Sequence, residues 1–143
     1  MNVLRVLAQA CQTASDRFRV CAEVADSADV KALLTRRGLE YLAAANELQA
    51  HQQRLEAMPG GISTDETGAV VGWAPPGGLT GFSELALIEE CERGEDTVLE
   101  AFADALALPL EPAVKEVTER QRLEAKNGHS QVRTLRDRVR AAA

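Results

Sequence analysis

The chain has 143 residues, 45% of them hydrophobic and 27% charged, enough to bury a core without disulfide or metal staples. Its formal net charge of −6 repels phosphate backbones and anionic bilayers, so neither nucleic acid nor a membrane is an expected partner. Aromatic residues make up only 3%, which suits a helical core of Leu, Val and Ala better than a sheet.

In chain order, apolar residues first recur at Leu4, Leu7, Cys11, Ala14, Phe18, Cys21 and Ala25, in alternating steps of three and four. That spacing predicts a helix over about 2–25, ending near Asp26-Ser27. A second seam, from Val30 through Leu34, Arg37, Tyr41 and Leu48 to Met58, predicts a helix over about 28–58 that stops at Pro59-Gly60-Gly61. Residues 59–81 are rich in glycine and proline and have no sustained period, which makes them a long connection. Trp73 stands alone in it and is expected to anchor it on the helices. A third seam, Leu85, Ile88, Glu92, Glu95, Leu99, Phe102 and Leu106, predicts a helix over about 82–107. After Leu108-Pro109 a fourth helix is expected over about 112–141, with Pro112 in its first turn.

Two short connections and one long one predict an all-α fold: an antiparallel four-helix bundle of the ferritin-like kind, made of two helical hairpins joined by a crossover. A single domain spanning 1–143 is expected. Cys11, Cys21 and Cys91 are odd in number and form no Cys-x-x-Cys unit, which argues for a reducing compartment. With Arg5 interrupting the first apolar residues, no secretory segment is expected there, and a cytoplasmic location is the expectation. The arginines from Arg133 to Arg140 read as a solvated helix face.

The chemistry-bearing feature is the pair Glu92 and Glu95, both on the third seam between Ile88 and Leu99. Buried carboxylates need partners. Counting 1.5 Å per residue along the helices brings them level with Tyr41 on the second helix and with Glu124 and His129 on the fourth. Two expectations follow. In one, Arg37, Tyr41, Gln121 and His129 satisfy the carboxylates as a structural polar layer that fixes helix register. In the other, Glu92, Glu95 and His129 hold a divalent metal ion. The di-iron pattern is incomplete, because Lys126 precedes His129 where that pattern has a glutamate and the first helix offers only Thr13 and Ser15 at this depth. No phosphate-binding glycine loop or catalytic triad is present.

The run Glu90-Cys91-Glu92-Arg93-Gly94-Glu95-Asp96, with Phe102, Leu108-Pro109, Glu119-Arg120-Gln121, His129 and Leu135-Arg136-Asp137, resembles a bacterial family of uncharacterised ferritin-like four-helix-bundle proteins. Cys11, Phe18 and Glu47-Leu48 extend the resemblance over most of the chain. It implies the ferritin-like fold, brings no established activity, and matches Glu92, Glu95, Gln121 and His129 as polar positions. The chain departs from that family at Thr13 and Ser15, where the relatives carry acidic residues. The expected function is non-enzymatic, through protein interaction or assembly as a homodimer, without a cofactor. The alternative is a metal-binding or redox protein using Glu92, Glu95 and His129.

Overall fold

A computed structural model describes residues 2–57, 73 and 78–142. Among these the fold is all-α, with the four expected helices and no strand: α1 (Val3–Val24), α2 (Ala28–Ala57), α3 (Glu84–Leu106) and α4 (Pro112–Ala142). Most of the connection expected over 59–81, and the helix end expected at Met58, lie outside the described residues.

Local chemistry sets the helix starts. The Asn2 side chain accepts from the Arg5 amide at the head of α1, and the Ser83 hydroxyl accepts from the Ala86 amide, so α3 begins at Glu84. Gly81, at φ 84°, turns the chain into that cap. Pro112 opens α4, where its missing N–H is no loss.

The seams meet in one apolar cluster that includes Leu7 and Phe18 from α1, Leu34 and Leu48 from α2, Ile88 and Phe102 from α3, and Val132 from α4. Each large apolar side chain buried there contributes about 1.5–3 kcal/mol. Polar contacts fix which residues meet. The Ser15 hydroxyl donates to the Gly38 carbonyl at 2.8 Å, and a Cβ at Gly38 would lie 3.3 Å from that of Phe18, so α1 and α2 approach closely there. Arg17 Nη1 donates to the Glu90 carbonyl at 3.3 Å, and the Ser27 amide donates to the Glu84 carboxylate, linking α1 to α3. Between α2 and α4, Arg120 pairs with Glu47, and Arg138 lies 3.8 Å from Asp29. Among the described residues no helix is long and apolar enough to cross a membrane.

Trp73 rests against the core, and the Arg17 guanidinium stacks over its ring at 4.7 Å from the centroid. Gly94 makes room for that arginine, since a Cβ there would stand 2.7 Å from Arg17 Cδ. Because Trp73 is the chain's sole tryptophan, its fluorescence reads this contact directly. Arg17→Ala should shift the emission to the red and cost about 0.5–1 kcal/mol, with helix content unchanged. An emission spectrum identical to the parent's would count against the stacked arrangement.

Candidate functional site

Glu95 is fully buried, at 0% exposure, on the face of α3 that the seam turns inward. One carboxylate oxygen, Oε2, accepts from Arg37 Nη2 at 2.8 Å and from the Tyr41 hydroxyl at 2.7 Å. Its other oxygen, Oε1, lies 3.1 Å from His129 Nδ1. An ionised carboxylate only accepts, so His129 carries its proton on Nδ1 toward Glu95. His129 Nε2 faces Asp96 Oδ1 at 3.5 Å, near the surface.

Arg37 is the organiser of the cluster. Its Nη1 reaches Glu40 at 3.1 Å, and its guanidinium carbon sits 4.7 Å from the Tyr41 ring centroid. Gly128 on α4 leaves the space, for any Cβ there would overlap the guanidinium. Burial disfavours the Arg37 charge, but Glu95, with help from Glu40, more than restores it, so its pKa ends above the ordinary value. Burial, and then the negative Glu95, push the Tyr41 hydroxyl well above its usual range, which keeps it a donor.

The second carboxylate is held differently. Glu92 accepts from Arg136 Nη1 at 2.6 Å at the edge of the layer. Arg136 was expected on a solvated face, and the structure turns it inward onto Glu92. Its signal in the sequence is its position seven residues after His129, on the same face of α4. Gln121 does not reach Glu92 or Glu95. Its Nε2 donates to the Ala44 carbonyl at 3.2 Å and to Glu47 Oε1 at 2.7 Å, lower on α2. Thus Arg37, Tyr41 and His129 gather on Glu95, Arg136 takes Glu92, and Gln121 forms a separate clamp. Among the described residues no three or more of His, Cys, Asp and Glu are grouped so as to hold a metal ion.

Removing one partner of a buried ion pair strands the other charge, which costs about 3–5 kcal/mol. Arg37→Met should destabilise by that amount in urea unfolding, and adding Glu95→Gln to it should recover much of the loss. Gly128→Ala should also destabilise, although alanine favours helix by about 1 kcal/mol, because its methyl displaces Arg37. A stable Arg37→Met protein would mean that Glu95 does not depend on this pair.

Burial raises the Glu92 carboxyl above its ordinary value, and Arg136 and His129 reverse this only in part. The folded state then holds a proton that the unfolded chain releases from about pH 4.3 upward. The stability from this group is fully present below that pH and is lost as pH rises through the raised value. Glu92→Gln should flatten the pH dependence of the thermal midpoint over that window, and an unchanged slope would assign it to other groups.

No curated protein matches the sequence at a significant level. A family model matches residues 1–108, which hold α1, α2 and α3 with Arg37, Tyr41, Glu92 and Glu95, and ends before α4 with Gln121, His129 and Arg136. With three quarters of its length inside that match, the chain belongs to the family described as a domain of unknown function, DUF2383.

Proposed function

We infer that the four helices form one antiparallel bundle of ferritin-like connectivity, in a single domain spanning residues 1–143. The contact register supports this. Asp29 meets Arg138 while Glu47 meets Arg120, and Glu89 meets Arg140 while Glu95 meets His129. On α4 the numbers fall as those on α2 or α3 rise, and the same holds for Arg17 with Glu90 and Ser27 with Glu84. Helices α2 and α3 then run the same way, which requires a connection returning the length of a helix, about 40 Å at 1.5 Å per residue for some 27 residues.

Within that fold we propose a non-enzymatic protein that acts by assembly, as a homodimer, with the Glu95 layer structural. The observation that carries the structural role is that both Glu95 oxygens are already taken by Arg37, Tyr41 and His129. A divalent ion on Glu92, Glu95 and His129 fits poorly, since guanidinium cations stand 2.6 Å and 2.8 Å from the two carboxylates. Assembly is supported by Leu39, which is 62% exposed beside an open groove of ≈ 250 Å³ between α1 and α2. The rim carries Arg19, Lys31 and Glu23, charges of both signs, as a two-fold symmetric contact with a second copy requires.

Sedimentation of the untagged protein should give a dimer, and Leu39→Glu a folded monomer. Protein purified without chelators or a nickel column should hold no stoichiometric metal, and EDTA should leave the thermal midpoint in place. A monomeric parent would sink the assembly reading. A midpoint lowered by EDTA and restored by one particular divalent ion would sink the structural reading of the layer.

A further inference from the structure

Cys21 on α1 and Cys91 on α3 are both shut inside the core at 0% exposure, and their thiols are hydrogen-bonded to each other. The register of the two helices brings them together. Arg17 stands against Gly94 and Ser27 against Glu84, so the numbers on α3 fall as those on α1 rise. Four residues on from Arg17 and four back from Gly94 bring Cys21 level with Glu90 and its neighbour Cys91. Cys11 lies elsewhere. It precedes Cys21 by ten residues, about 15 Å along the helix, well beyond the Cα separation of about 4.4–6.8 Å that a disulfide spans.

The two thiols are not equivalent. The hydrogen bond from Cys91 lowers the Cys21 pKa, with help from the Arg17 charge and against burial and Glu90. Burial holds Cys91 well above its usual range, and its bond to Cys21 adds to this. Cys21 is therefore the attacking thiolate and Cys91 the thiol that closes on it. Arg17, one turn before Cys21, and Glu90, next to Cys91, lie 3.6 Å apart at the edge of the same seam, 17% and 16% exposed. That edge is loosely held. Arg17 Nε is buried without a hydrogen-bond partner, a cost relieved when the side chain swings into water. Local opening there admits a molecule as small as hydrogen peroxide.

We propose that Cys21 and Cys91 form a reversible disulfide that ties α1 to α3, made by a peroxide and undone by a dithiol. The Cys21 thiolate attacks one peroxide oxygen and the O–O bond breaks. The hydroxide released takes up the proton that Cys21 had shed, which gives one water and a sulfenic acid on Cys21. The Cys91 sulfur then attacks Cys21 Sγ, its proton leaves with the displaced hydroxyl as a second water, and the S–S bond forms. Two thiols have lost two electrons, and one peroxide has become two waters. A dithiol returns the electrons by exchange and is itself oxidised to a disulfide. The bond closes a loop of about 70 residues in the unfolded chain, so oxidation stabilises the fold. It does not depend on the assembly reading.

The test starts from the full chain, reduced and then exposed to hydrogen peroxide while folded. It should lose two hydrogen masses, leave Cys11 alone to react with maleimide after denaturation, and yield a linked peptide pair holding Cys21 and Cys91. Dithiothreitol should restore all three thiols. The oxidised form should melt about 5–10 °C higher. Cys11→Ala should form the bond at the parent's rate, and Cys21→Ala or Cys91→Ala should abolish it; if these two fail to fold, peptide mapping of the parent carries the assignment. In urea the shorter Cys11–Cys21 loop should compete. Three free thiols after peroxide, a link between two chains, sulfinic acid on Cys21 in place of the disulfide, or a lower melting point for the oxidised form would overturn the proposal. So would a folded protein that gives the same mixture of bonds as the protein in urea.

Discussion

The Glu95 carboxylate has left water entirely, and the molecule is arranged around meeting that cost. Desolvating one ion costs several kcal/mol, and attraction to a single partner rarely offsets it unless the remaining lone pairs are also filled. Arg37 supplies the opposite charge, Tyr41 and His129 fill the other positions, and the donors come from two helices while the carboxylate sits on a third. The apolar cluster makes collapse favourable, but it is largely indifferent to which Leu meets which Val. The carboxylate is not indifferent.

Two glycines admit buried arginines, and one of them serves that demand. Gly128 on α4 and Gly94 on α3 each lie inside a helix, where glycine costs about 0.5–1 kcal/mol relative to alanine, and each makes room for an arginine from a neighbouring helix. Arg37 lies in one notch and Arg17 in the other, the first on Glu95 and the second beneath Trp73. The family match holds the carboxylates, Arg37 and Tyr41, whereas His129, Arg136 and the glycine that admits Arg37 lie beyond its end at residue 108. The match therefore spans the α2 and α3 members of the layer, and α4 completes it in this chain.

Much of the helical architecture was legible because amphipathic spacing is a local property. Alternating steps of three and four from Leu4 to Ala25 are visible without knowing what the helix packs against. Glu95 stood out for the same reason, as a charge on a stripe that continues through Ile88 and Leu99. Pairing across helices was harder, because a count of residues from the helix ends fixes depth only to about one turn. That uncertainty placed Gln121 with the carboxylates when it meets Glu47. It also left Arg136 among neighbours that are mostly solvated. The role of Gly128 was invisible in the sequence, since a glycine within a helix announces a close approach but not the side chain that makes it.

The hold that three helices share on the Glu95 carboxylate has a mechanical consequence. Hydrogen bonds of 2.7 to 3.1 Å tolerate little lateral travel, whereas a helix sliding by one turn moves about 5.4 Å. An apolar seam of Leu, Val and Ala presents much the same surface after such a slide. With Glu95 in place, axial shear of α3 against α2 breaks the Arg37 and Tyr41 bonds together, and shear against α4 breaks the His129 contact, so either slide meets a discrete step instead of creeping.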